Sequence, residues 1–217
     1  MINYRILNDS IEYYERHGFQ RIESPWTVTK AISDITKPMD KSEFTIKEKN
    51  KVLVASGEQS FLYLANKGFL PKGKFLTVTP CFRDDPFDEL HTKYFMKNEL
   101  IITDNVCNNE LRKMVNLARN FFRQYCLLPK ENDGYLIDSK DKDDVKIINT
   151  VNEGNFIMPE IDPNENYQYQ SYDLSYRGIE LGSYGIRKCG FLHWIYGTGC
   201  SEPRLTRVLK TYGISYV

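Results

Sequence analysis

Three short stretches of the chain hold residue types suited to anions and nucleotides. The first is Thr79-Pro80-Cys81-Phe82-Arg83-Asp84-Asp85, an apolar strand end opening into a polar loop that reaches His91-Thr92-Lys93-Tyr94-Phe95. Activating a carboxylate with ATP brings two anions together. A planar, permanently charged guanidinium such as that of Arg83 can contact a carboxylate and an α-phosphate at once. It can also stabilise the extra charge of a pentavalent transition state, where losing one good donor costs roughly 3 kcal/mol. The second stretch runs from Tyr172-Asp173-Leu174 to Glu180-Leu181-Gly182-Ser183-Tyr184-Gly185-Ile186-Arg187. Glu180 and Ser183 are oxygen donors, and magnesium bound with phosphates needs one or two such ligands. Glycines there let a nucleotide approach the backbone. The third is Gly197-Thr198-Gly199-Cys200-Ser201-Glu202-Pro203-Arg204, a Gly-rich strand running into a helix with Arg204 in its first turn. A helix N-terminus plus an arginine suits phosphate. No Gly-Lys-Ser/Thr follows, so it is not a P-loop.

Taken singly, each stretch also has a plainer reading. Arg83 beside Asp84 and Asp85 describes a surface turn, Glu180 an exposed hairpin residue, and Gly-x-Gly an ordinary strand feature. His17 reads as a helix end, His193 as packing beside Trp194, and Cys200 as a small packing residue. The order of the three stretches along one chain is what joins them.

Patterning supplies the elements that must position these residues. Ile6, Leu7, Ile11 and Tyr14 recur at helical spacing up to His17, and Gly18 reads as the stop. Phe19 to Pro25 alternates like a strand, Val52 to Ala55 is a short apolar strand, and Gln59 to Asn66 is a helix ended by Gly68. Phe75 to Thr79 and Tyr94 to Thr103 read as strands. Asp104 or Asn105 caps the clearest helix, Cys107 to Cys126, with Leu111, Met114, Ala118, Phe121 and Tyr125 on one face. Charges from Lys140 to Asp144 suggest a solvated turn. Strands return near Lys146 to Ile148 and Phe156 to Ile161. A hairpin joins Tyr169–Tyr176 to Ile179–Gly185 through Arg177-Gly178, and a last helix starts at Glu202 with Pro203 at N1. The expected class is α+β, an antiparallel sheet with helices on one side.

Composition bounds the rest. The 217 residues suffice for one well-cored domain, and 41% hydrophobic with 27% charged residues is a globular balance. Lys+Arg and Asp+Glu stand at 29 each, which argues against a broad nucleic-acid face and against DNA as a partner. The cysteines Cys81, Cys107, Cys126, Cys189 and Cys200 are odd in number and without C-x-x-C spacing. Neither a disulfide framework nor a zinc ribbon is expected. Reduced thiols, no signal peptide and no membrane span suggest a cytoplasmic protein without a membrane partner.

Together the three stretches resemble the three motifs of the class II aminoacyl-tRNA synthetases. His17-Gly18-Phe19 through Glu23-Ser24-Pro25 is similar to motif 1, the dimerisation helix and strand. Phe82-Arg83-Asp84-Asp85 with His91 and Phe95 is similar to motif 2, though Asp85 stands where the family usually has Glu. The segment ending in Arg204 is similar to motif 3, with Ser201 and Pro203 as departures. Within the class, Tyr172-Asp173-Leu174 and Gly178-Ile179-Glu180 resemble the aspartyl/asparaginyl enzymes. Leu90-His91-Thr92-Lys93-Tyr94, Glu180 to Arg187 and Arg204-Leu205-Thr206 look like the ammonia-dependent asparagine synthetase. Ala55-Ser56-Gly57-Glu58 looks instead like the Thr-x-Glu element of other members, so the amino acid stays open.

The resemblance implies an antiparallel sheet flanked by helices, ATP with Mg2+, an amino acid substrate and a homodimer. It implies Arg83 on the α-phosphate and carboxylate, His91 and Arg204 near the γ-phosphate, Phe95 on adenine, and Asp85 on adenine or the amino group. It places Arg187 on phosphate or substrate, Glu180 and Ser183 on magnesium, Glu58 on the substrate ammonium, and Asp173 among the substrate contacts. The expected unit is a single catalytic domain over 1–217 without an anticodon-binding domain. The expected function is activation of an amino acid as its adenylate, then transfer to an amine, a carrier protein or a tRNA. The alternative is a non-catalytic paralogue that binds or regulates a partner.

Overall fold

The computed structural model describes residues 1–38, 41–86, 88, 91–126, 145–150, 171–190 and 192–214. The chain opens with helix α1 (Tyr4–Arg16), where the Asn3 side chain accepts bonds from the N–H groups of Arg5 and Ile6. This satisfies two of the donors that a helix start leaves unpaired. Gly18 ends the helix at φ +86°, a backbone conformation that costs a residue without Cβ little. Then follow β1 (Gln20–Arg21), β2 (Thr27–Thr29), α2 (Lys30–Asp34), β3 (Lys51–Leu53), α3 (Gly57–Asn66), β4 (Lys74–Phe82) and β5 (Tyr94–Ile102). The rest comprises α4 (Asn108–Cys126), β6 (Lys146–Thr150), β7 (Ser171–Tyr176), β8 (Ile179–Cys189), β9 (Leu192–Glu202) and α5 (Arg204–Thr211).

Seven strands form one sheet in the order β1-β4-β5-β9-β8-β7-β6, and β2 pairs with β3 separately. Every neighbouring pair of the large sheet is antiparallel except β1 with β4, which run parallel. The fold class is therefore α+β, as expected. The helices, however, lie on both faces. On one face α1, α4 and α5 bury Leu76, Leu100, Ile102 and Ile195. On the other, α3 packs Phe61 and Leu62 on Phe75, Ile101, Trp194 and Tyr196. Period-two burial in β4 and β5 demands this, because both alternating sets are apolar at one end of the sheet. Toward the other end the α3 face turns polar, through Lys97, Glu99, Thr198, Ser183 and Arg187. That polar half holds the candidate site.

Several expected boundaries move. The strand expected over Phe19 to Pro25 is only two residues long, although the Ile22 N–H still bonds to Leu76 O. Pro25 has no N–H to extend it. The helix expected from Cys107 starts at Asn108. The Asp104 carboxylate instead takes the Asn105 N–H, with Asn105 at φ +49°. Pro203 sits at the N-cap of α5 rather than at N1, and the Glu202 carboxylate caps the helix by accepting the Thr206 N–H at 3.1 Å. The turn between β7 and β8 falls at Arg177-Gly178, with φ +49° and +83°, the conformation of a tight two-residue hairpin. The expectations for Lys140 to Asp144, Phe156 to Ile161 and positions 169 and 170 lie outside the described residues.

Candidate active site

Two adjoining cavities open on the polar half of the sheet. The smaller, about 90 Å³, is lined by Arg83, Asp85, His91, Phe95, Glu180, Ser183, Thr198 and Arg204, among others. The larger, about 290 Å³, is lined by Glu58, Lys97, Glu99, Arg187 and Tyr196 and by residues of α2 and the loop after it. Arg83, Asp85, Lys97, Glu180 and Ser183 line both.

Arg83 follows directly on the last residue of β4. Its Nε donates to Ala55 O at 2.9 Å, and its guanidinium carbon lies 5.2 Å from the Phe95 ring centre. It makes no ion pair among the described residues, so its charge faces the junction of the two cavities. Phe95 is the second residue of β5, which places it on the same wall. Asp85 pairs with Lys41 at 3.1 Å, a contact that crosses from the motif 2-like loop to the loop after α2. His91 bonds the Asp88 carboxylate through its N–H at 2.6 Å and its Nδ1 at 2.7 Å. Arg204, the first residue of α5, reaches back to Glu180, whose Oε1 lies 3.3 Å away.

The β7–β8 register sets Asp173 opposite Ser183. Burial raises the Asp173 carboxyl above the usual aspartate range, and the nearby Glu180 charge raises it further, against a hydrogen bond from Ser183. Glu180 and Ser183 line the smaller cavity, with Asp173 beside Ser183 on the neighbouring strand, and all three carry hard oxygen donors. Among the described residues no cluster of three or more His, Cys, Asp or Glu side chains could enclose a metal alone. Gly182 lies on this wall because a Cβ there would stand 2.7 Å from Thr198 Cβ.

The larger cavity is built differently. Glu58, in the first turn of α3, accepts Arg187 Nη1 at 2.6 Å and Trp194 Nε1 at 2.7 Å. The Arg187 guanidinium lies 4.1 Å over the Tyr196 ring. Burial opposes the charge on Arg187 most strongly, but Glu58, Tyr196 and Glu99 together outweigh it, and the group is held more firmly protonated than usual. Lys97 Nζ donates to Glu99 Oε1 at 2.9 Å, and Glu99 is fully buried. Burial raises the Glu99 carboxyl, with Glu58 adding to the rise and Lys97 and Arg83 opposing it.

The structure thus brings Arg83, Asp85, His91, Phe95, Glu180, Ser183 and Arg204 around one cavity. Arg187, expected on phosphate or substrate, lines the other cavity with Glu58. Asp173 lines neither and stands behind Ser183. Sequence reasoning missed Lys97, Glu99 and Lys41. The first two were readable in part, since positions 95, 97 and 99 of one strand share a face with Phe95.

Comparison with solved structures agrees with this architecture. A pyrrolysyl tRNA synthetase from Desulfitobacterium hafniense superposes with a TM-score of 0.65 at 12% identity, over 98% of this chain and 70% of that one. The cytoplasmic serine-tRNA ligase of Naegleria fowleri, in complex with AMP, gives 0.65 at 18% identity over 95% of this chain and 53% of that one. The seryl-tRNA synthetase of Pyrococcus horikoshii, complexed with ATP, gives 0.65 at 13% identity over 92% and 48%. No family model matches the sequence, and no curated protein does. The chain has the fold of a class II aminoacyl-tRNA synthetase catalytic core. Among the described residues no helix is long and apolar enough to cross a membrane.

Proposed function

We propose that the chain binds ATP in the smaller cavity and an amino acid in the larger, and joins them as an aminoacyl adenylate. The observation that carries this is Arg83, a cation without a carboxylate partner among the described residues, on the boundary of both spaces. A carboxylate oxygen of the amino acid attacks the α-phosphorus. The bond from that phosphorus to the bridging oxygen breaks, and pyrophosphate leaves with the electron pair. Arg83 steadies the two anions before reaction and the added charge during it. Arg204 and His91 serve the outer phosphates, and Phe95 offers a ring to the adenine. Glu180 and Ser183, backed by Asp173, would hold Mg2+, which neutralises phosphate charge when bound. Asp85 must leave Lys41 to meet the nucleotide or the amino group. An amine, carrier protein or tRNA then attacks the carbonyl carbon and releases AMP. A homodimer through the β1 edge and a cytoplasmic setting belong to the same reading.

The test is ATP–pyrophosphate exchange with each of the twenty amino acids in turn. One amino acid should drive exchange, and Arg83→Ala should abolish it. No exchange with any, together with no ATP binding by calorimetry, would turn the reading to the non-catalytic paralogue.

A further inference from the structure

Two carboxylates, Glu58 and Glu99, line the cavity assigned to the amino acid, and they differ in what their oxygens do. Both Glu58 oxygens are engaged at 2.6–2.7 Å by donors that are themselves largely buried, Arg187 and Trp194. A ligand ammonium on Glu58 would compete with these donors and strip a buried guanidinium of its counter-charge. Glu99 uses one oxygen for Lys97, while Oε2 is buried and has no hydrogen-bond partner among the described residues. Buried polar atoms are nearly always paired, and an orphan acceptor on a residue that lines a cavity asks for a donor.

The backbone aims Glu99 there. The β5–β9 register shifts between Asn98 and Glu99, so that Asn98 pairs with Cys200 and Glu99 with Thr198. Such an irregularity re-aims side chains beside functional sites. From the other side α3 begins at Gly57, where a Cβ would stand 2.8 Å from Glu99 Cβ. The helix start and the strand therefore hold the carboxylate between them.

We infer that Glu99, and not Glu58, receives the amino group of the substrate, in exchange for Lys97. The inference rests on the adenylation reading above. Glu99 Oε2 is closed to bulk water, so the donor enters through the cavity as Lys97 gives way. Lys97 suits this exchange because it carries the same charge as the ammonium, on a flexible stem. It also lines both cavities, so on leaving Glu99 it faces the anions at their boundary. One cation replaces another on a buried carboxylate, and no charge is left unmatched. Burial raises the Glu99 carboxyl, and a bound cation relieves that cost. Glu58 acts as a positioning residue that fixes Arg187 against Tyr196. The acid selected is one with an unsubstituted amino group, in preference to a hydroxy acid or an N-acylated one.

The experiment measures binding of the twenty aminoacyl-sulfamoyl adenosines, stable mimics of the adenylate, by calorimetry. The tightest is then compared with its desamino counterpart. Wild type should prefer the amino form by at least tenfold. Glu99→Gln, and Glu99→Asp as a second variant that keeps a charge for Lys97, should cut the preference to under threefold. Glu58→Gln should weaken both forms alike and keep the preference. A folding defect also weakens both forms alike, so the ratio separates lost contact from lost structure. Lys97→Met should weaken the amino form, the one that releases Lys97 toward the anions, roughly tenfold more than the desamino form, and an equal effect on both would remove the exchange. Equal binding of the two forms to wild type, or a preference intact in both Glu99 variants, overturns the inference while leaving adenylation standing. Failure of every analogue to bind wild type overturns both.

Discussion

The two cavities share a wall but are held together by different physics. The smaller cavity uses charges that stay near water. Glu180 is half exposed where Arg204 meets it at 3.3 Å. The acid side uses buried pairs, Glu58–Arg187 at 2.6 Å and Lys97–Glu99 at 2.9 Å, within α3, β5 and β8. Exposed pairs contribute little to stability, commonly under about 1 kcal/mol. Breaking one partner of a buried pair costs about 3–5 kcal/mol, because the other charge is left uncompensated. One half of the site can therefore be altered for function alone, whereas the other carries the fold with it.

The largest effect that tests this contrast belongs to the shared wall. Arg83→Ala should lower kcat/KM for pyrophosphate exchange at least about a hundredfold, the scale of one lost transition-state donor. Its Tm should change little, since Arg83 has no ion pair to break among the described residues. Next comes Glu58→Gln, which leaves Arg187 buried with a neutral neighbour. A loss of about 3 kcal/mol should lower the Tm by roughly 6–12 °C in calorimetry. A Tm within 2 °C of wild type would show that the acid side is not load-sharing as the geometry implies.

A smaller effect concerns Asp173. Its carboxyl is raised, so the folded state takes up a proton above the ordinary aspartate value. As pH falls through that raised value the proton competes with a cation, and Mg2+ dependence of exchange should shift to higher Mg2+. Asp173→Asn should flatten that dependence, and an unchanged profile would remove Asp173 from the cation set. The smallest effect is expected for Glu180→Gln on stability, within about 0.5 kcal/mol in urea titration, despite a clear loss of exchange. Around Glu43, Lys30 and then Lys37 hold the carboxyl down to about 2. The stabilisation it gives the loop after α2 is complete above the ordinary glutamate value and fades as pH falls toward 2. Proteolysis within residues 35–43 should rise over that range.

Much of the fold was legible because its signals are local. The α4 stripe, the glycines at 18 and 68 and the Arg177-Gly178 turn each express a preference of a few neighbouring residues. Other features were not legible. That α3 covers the opposite face from α1 and α4 depends on which alternating set of β4 and β5 each helix meets, and both sets are apolar. The parallel pairing of β1 is a long-range choice made with only two residues. Around the smaller cavity, Arg83, His91, Phe95, Glu180 and Arg204 were picked out by residue type and order. On the acid side, Lys97 and Glu99 read as ordinary polar residues of a strand.

By itself the sequence determined the element types, the α+β class and a set of ATP-site candidates, because those follow from periodicity, turn chemistry and charge type. Only the tertiary structure decided which candidates share a cavity. It set Arg187 beside Glu58 and Asp173 across from Ser183, and left one oxygen of Glu99 without a donor among the described residues. Partners distant along the chain are chosen by strand register and by the competition for burial, and neither is written in any short stretch of residues.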